Sequence, residues 1–152
     1  MDLWILTRNL ANVANLSTPL GLALAALGGG RLRRVGGQIV AEDVTLPVVT
    51  AGAMTVGSVV LVFDQPLEEL ERRFPQVLTH EEQHSWQWAY CLGLPFLPLY
   101  FAAMGWSQLR CGDRASANAF EIQAGLQSGG YESRPKRSFS QILLLRKGRL
   151  QA

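Results

Sequence analysis

Apolar residues recur at spacings of three and four from Leu3 through Leu6, Leu10 and Val13 to Leu16, the period of a helix with one apolar face. The pattern predicts helix over residues 3–27, interrupted or restarted at Pro19 and ended by the glycines at 28–30. From Gly36 to Phe63 the period changes. The segments GQIVAE, VTLPVVT and MTVGSVVLVF are β-branched and punctuated by glycine, which predicts three short strands in one small antiparallel sheet, with Pro47 suited to an edge. In DQPLEELERRF, Asp64 offers an N-cap, Pro66 a first-turn proline, and acids precede arginines as the helix dipole favours. Residues 76 to about 92 hold good helix formers with no glycine or proline until Gly93, and predict the next helix. After an apolar stretch at 91–106, the segment GDRASANAFEIQAGLQSGG predicts a last helix, with Asp113 as its N-cap and a glycine stop.

A chain of 152 residues suits a single domain, 1–152, with a helical segment at 1–30 and a basic tail at 132–152. Its apolar share of 48% is high for so small a chain but short of an integral membrane protein, which leaves peripheral membrane contact open. Gly93, Pro95 and Pro98 would break a spanning helix, so 91–106 reads as a buried connection and a short core helix, with a membrane-facing hairpin as the competing view. The apolar run at 16–30 reads as folded helix rather than cleaved signal, because Asp2 and the asparagines at 9, 12 and 15 interrupt a leader pattern. Arg31, Arg33 and Arg34 form a basic knot with no groove-reading motif beside it, so no nucleic-acid partner is expected. Cys91 and Cys111 share no CxxC spacing and read as buried free thiols in a reducing, cytoplasmic compartment. Trp86, Trp88 and Trp106 read as core packing.

Candidate chemistry concentrates in THEEQHSWQW, residues 79–88, which contains both histidines of the chain. On a helix His80 and His84 share a face one turn apart and can aim their nitrogens at one ion. Glu81 lies about 100° round the helix, out of place as a ligand but able to reach a water held by the metal. A catalytic zinc needs a third protein ligand. Cys91 is too far along the axis, and Asp64 and Glu132 fall in caps or loops. Glu121 is the strongest candidate, since Ala117, Ala124 and Gly125 beside it would let its helix lie close to the histidines.

Histidine, histidine and glutamate form the ligand set of glutamate-liganded zinc peptidases, in which zinc acidifies a water and polarises a carbonyl. HEEQH followed by NAFEIQA resembles the gluzincin arrangement, and more closely small bacterial proteins of uncharacterised function with an HExxHxxQ helix, a downstream NxxExxA helix and a preceding TxGxV strand, here TVGSVVL. The resemblance covers roughly residues 16–131. It implies a minimal α+β zincin-like domain, zinc held by His80, His84 and Glu121, Glu81 as base, and a protein or peptide substrate. It also implies that strand 55–62 borders a cleft where substrate adds as a strand. A ligand histidine donates its second N–H to a neighbour, and Gln87, Asn118 or Asp113 could accept, Gln87 first. The sequence departs from thermolysin-like enzymes in that Asn118 stands three residues before Glu121, Gly125 replaces an acidic residue, and no further histidine exists to stabilise an oxyanion. Tyr131 or Arg134 would have to serve there. The alternative is a non-catalytic, zinc-stabilised module that binds a protein partner or membrane surface through 91–106 and the basic tail.

Overall fold

Val59–Phe63 (β4) is buried at every position, so it faces apolar layers on both sides of the sheet. The computed structural model describes residues 2–47 and 51–142. The fold is mixed α+β, a small four-stranded sheet with several helices. Two helices lead, Leu3–Ala14 (α1) and Ser17–Leu27 (α2). Arg31–Val35 (β1), Gln38–Val44 (β2) and Ala53–Val56 (β3) precede β4, and the strand order is β1-β2-β4-β3. Leu67–Arg73 (α3), Val77–Tyr90 (α4), Phe96–Cys111 (α5) and Ala119–Ala124 (α6) follow.

Two points of the expected sheet are corrected. MTVGSVVLVF is a hairpin, β3 and β4 about Gly57-Ser58, because Gly57 takes φ +64° and a Cβ there would lie 2.4 Å from the Thr18 nitrogen. The hairpin sets β4 between β3 and β2, so β2 and β4 run parallel while the outer pairs are antiparallel. The basic knot is itself an edge strand, β1, whose Arg31 pairs with Asp43 and whose Arg33 reaches Glu42 at 3.4 Å and Glu68 at 2.8 Å. Of the expected strand VTLPVVT, Val44 closes β2, residues 45–47 form a loop, and 48–50 lie outside the described residues. The tail beyond residue 142 lies outside them as well.

Ala41, Val44, Val59, Leu61 and Phe63 form one core face with Ala25 of α2, Trp88 of α4 and Phe96 of α5. Val40, Val60 and Val62 form the other with Leu67, Leu70 and Val77. Helix α4 lies against edge strand β3, and the Trp88 indole donates to the Thr55 carbonyl at 2.9 Å.

Helix α1 is amphipathic as expected, but its apolar face is not the buried one. Its leucine stripe faces out, and the buried residues are Arg8 and Asn12. The reason is hydrogen bonding: Arg8 donates to Glu82 at 2.7 Å and to the Gly37 carbonyl at 2.9 Å, while the Asn12 amide donates to the Ser85 carbonyl at 2.9 Å. Those acceptors on α4 and the β1–β2 turn would otherwise lose their partners. The break between α1 and α2 falls at Leu16, at φ +65°, and not at Pro19, which sits in the first turn of α2 where its missing N–H costs nothing. Helix α5 is longer and more exposed than a buried connection, and Trp106 lies at the surface. Trp88 is core, and Trp86 lies under the Arg8 guanidinium. Cys111 is buried as expected, but Cys91 is only half-buried.

Candidate metal centre

Helix α4 presents His80, Glu81, His84 and Gln87 on the side turned toward β3 and α6, and all four are buried. Helix α6 is only six residues long. Asn118, not Asp113, is its N-cap, accepting from the Phe120 N–H at 3.0 Å. Asp113 closes the turn before it, accepting from the backbone of Ala115 and Ser116 at 2.8 and 2.7 Å. The short helix nevertheless carries Glu121 into the interior, where it is 1% exposed.

His80, His84 and Glu121 come together so that one ligand atom from each lies within 4.8 Å of the others, a group that could hold a metal ion. His80 Nε2 is 3.1 Å from His84 Nε2 and 3.2 Å from Glu121 Oε2, and His84 Nε2 is 3.7 Å from Glu121 Oε1. Ligand atoms around a tetrahedral zinc, with bonds of about 2.0–2.2 Å, stand roughly 3.3 Å apart.

Protons decide what these atoms can do. His80 Nδ1 lies 3.0 Å from the Gly125 carbonyl oxygen, which can only accept, so Nδ1 carries the hydrogen. His84 Nδ1 lies 2.7 Å from Gln87 Oε1. The Gln87 amide is oriented by its nitrogen, which donates to the Phe120 carbonyl at 2.9 Å and to Gln123 at 3.1 Å, so its oxygen faces His84 and accepts. In the neutral rings both Nε2 atoms therefore carry bare lone pairs, directed toward Glu121. Glu121 Oε2 is buried and accepts no hydrogen bond, while Oε1 accepts from the Tyr100 hydroxyl. Three electron-rich atoms face one another with no hydrogen between them, an arrangement that calls for a cation.

Without a metal, a proton fills part of that role. Burial works against charging His80, but the Glu121 hydrogen bond and the charges of Glu81 and Glu121 outweigh it and raise its pKa. Burial likewise opposes ionisation of Glu121, and the contacts with His80, His84 and Tyr100 overcome it and hold its pKa low. Burial, then the Glu121 charge, raises the Tyr100 hydroxyl far above the ordinary range, so it stays protonated and donates.

Glu81 Oε2 accepts from the Thr55 hydroxyl at 2.6 Å, which fixes its carboxylate against β3, and its charge reaches both His80 and Tyr131. Tyr131 packs beside His80 with ring centroids 6.2 Å apart. Gly129 lies flat on the imidazole, since a Cβ there would be 2.5 Å from His80 Cε1. Chain comparison adds no further guide. No protein family, curated protein or solved structure matches the chain. What bears on the expected resemblance is the cluster of His80, His84 and Glu121, a group that could hold a metal ion.

The other expected site residues divide. Gln87 contacts His84, whereas the Asn118 side chain bonds to Phe120 and Arg114 and does not reach a histidine. Arg134 is turned to solvent and toward Asp113, 3.6 Å away. Within the expected cleft strand 55–62, β4 is internal and β3 lies at an edge of the sheet, where α4 already packs with Trp88 on the Thr55 carbonyl. Sequence reasoning missed Tyr100, Thr55 and the Gly125 carbonyl. Thr55 stands within TVGSVVL, but nothing in its spacing from Glu81 marks it as a partner, and Tyr100 sits in a stretch whose apolar character hides a single hydroxyl.

Proposed function

We propose that the chain is a zinc-dependent hydrolase acting on peptide bonds, with His80, His84 and Glu121 as ligands and Glu81 as general base. In the neutral rings the contacts at Nδ1 leave both Nε2 atoms without a hydrogen, and the observation that carries this reading is their convergence on a buried Glu121 oxygen with no hydrogen-bond partner. The donor set, two imidazoles and one carboxylate, suits zinc. When bound, zinc supplies an acidified water and polarises a carbonyl. The protein's part is to hold protons in defined places. Thr55 orients Glu81 to take one from water, Gln87 and the Gly125 carbonyl keep the two Nε2 atoms bare, and Tyr100 keeps its hydrogen on Glu121 Oε1. Tyr131, half-buried with its ring 6.2 Å from that of His80, is the candidate to donate to a developing oxyanion.

A second reading is favoured by burial: His80, His84 and Glu121 are 3, 8 and 1% exposed, as in a closed metal site that braces a small domain without catalysis. Metal content and hydrolysis of a peptide pool, measured on wild type, Glu81→Gln and His84→Ala, separate the two. The hydrolase reading expects Glu81→Gln to keep stoichiometric zinc and lose turnover, and His84→Ala to lose both. Stoichiometric zinc in a wild type that cleaves nothing supports the bracing role, and a wild type that takes up no metal removes both readings.

A further inference from the structure

Helix α1 is inside out for a helix in water. Leu3, Trp4, Leu10, Val13 and Leu16 are 73, 70, 60, 50 and 68% exposed, while Arg8 and Asn12 on the opposite face are fully buried. An exposed apolar stripe of this size on a helix whose arginine and Asn12 are buried is not the ordinary scatter of surface leucines.

The stripe continues onto a second stretch. The Asn15 amide donates to the Trp88 carbonyl at 3.2 Å, and the Asn15 carbonyl packs against Gly93, so the α1–α2 bend touches the α4–α5 turn. Around that contact Leu16, Leu92 and Leu94 face out, and α5 adds Leu99, Phe101, Trp106 and Leu109. Neither stretch holds a single Asp, Glu, Lys or Arg, from Asn9 to Gly30 or from Gln83 to Leu109.

We propose that this face docks on a lipid bilayer. Protein interfaces are bounded by polar rims that fix register, whereas two charge-free stretches from distant parts of the chain, brought together where Asn15 meets Trp88 and Gly93, suit hydrocarbon. Where the charge-free stretches end, cations begin: Arg34 lies in the strand that follows α2, and Arg110 closes α5 with its guanidinium 5.2 Å from the Trp106 ring centre. Arginine and tryptophan together at the margin of an apolar face match the headgroup layer, with anionic lipid preferred. The chain lies on the bilayer and does not cross it. Among the described residues no single helix is long and apolar enough to span, and the α1–α2 pair, which passes by length and composition, is bent by 75° with Arg8 and Asn12 anchored in the protein.

The test is flotation of the full chain with vesicles of phosphatidylcholine and phosphatidylglycerol in a 7:3 ratio, beside the variant L10Q/L16Q/L99Q/F101Q. These four side chains are at the surface, so the variant is expected to keep its circular dichroism and melting temperature while vesicle binding falls at least about tenfold. Lipids brominated in their chains are expected to quench the wild-type tryptophan fluorescence, and W4F/W106F to lose most of that quenching while still floating. A wild-type chain that stays at the bottom of the gradient overturns the proposal. So does a dimer in light scattering that L10Q/L16Q/L99Q/F101Q dissolves while neither protein binds vesicles, because the face is then an interface between two copies.

Discussion

Gln87 Oε1 lies 2.7 Å from His84 Nδ1, and the nitrogen of the same amide donates to the Phe120 carbonyl on the helix that carries Glu121. One side chain thus fixes the tautomer of one proposed ligand and docks the helix of another. Gln87→Ala is expected to weaken zinc binding about 10–100-fold. Gln123→Ala, which removes a second acceptor of the same amide and the acceptor of the Tyr90 hydroxyl but leaves the bonds to His84 and Phe120, should change it little. Competition with a chromophoric chelator measures both, and equal affinities for wild type and Gln87→Ala would show that the amide does not hold the ring.

The pH dependence has opposite signs with and without metal. Because the His80 pKa is raised, its protonation stabilises the metal-free fold fully below the ordinary imidazole value of about 6.5, and this stability is lost as pH rises through the higher folded value. On the proposed function, zinc would have to displace that proton, so its affinity is expected to fall about tenfold per pH unit once pH drops below the folded value. Melting temperatures between pH 6 and 8 are expected to fall with pH in chelator and to rise with pH at a fixed, limiting zinc concentration.

Gly129 limits the space over His80. Gly129→Ala would place a methyl group 2.6 Å from Nε2 and must displace the ring or the loop. We expect a cost of about 1–3 kcal/mol in stability and at least a tenfold loss of zinc affinity. Isothermal calorimetry on the folded variant checks the second, and unchanged affinity would show that the loop yields without moving the histidine.

Arg8 ties the outer helix to the helix with the histidines. Arg8→Met strips its bonds to Glu82 and Gly37. The expected loss is about 2 kcal/mol, below the roughly 3–5 kcal/mol of a fully buried pair, since the Glu82 side chain is 34% exposed. Urea unfolding gives the value, and a variant as stable as wild type would leave the inverted α1 without its energetic reason.

Asp113 is a test in acid. Burial alone would raise its pKa, but the Ser116 hydroxyl and the N–H groups of Ser116 and Ala115 outweigh that and lower it. Asp113→Ala is expected to cost about 1–2 kcal/mol near neutrality. A carboxylate with a depressed folded pKa stabilises fully above the ordinary value, about 3.9, and loses that contribution as pH falls through the folded one. The gap between variant and wild type in urea unfolding should therefore narrow as the pH is lowered below 4.

How far the sequence reaches can be judged residue by residue. The α4 helix, the burial of β4 and the meeting of His80, His84 and Glu121 follow from local rules: helix period, β-branching and small neighbours. Gln87 follows too, because it lies on the same helix as the ring it meets. What failed depended on distant partners. The leucines of α1 have the period of a core-facing helix, and only the acceptors at Glu82, Gly37 and Ser85 reveal that Arg8 and Asn12 turn inward instead. Asp113 and Asn118 are both good caps by type, and the choice between them is made by Ser107 and Ser116, which draw Asp113 into its own turn. The parallel pairing of β2 with β4 has no local signal, because it is fixed by where the β3–β4 hairpin lands.

That landing also sets the order in which the chain can be completed on the ribosome. Strand β2 can pair with β1 once both have been made, whereas its other side has no partner until the hairpin supplies β4. A nascent chain halted just after β3 would expose an unpaired strand edge to any neighbour able to add to it.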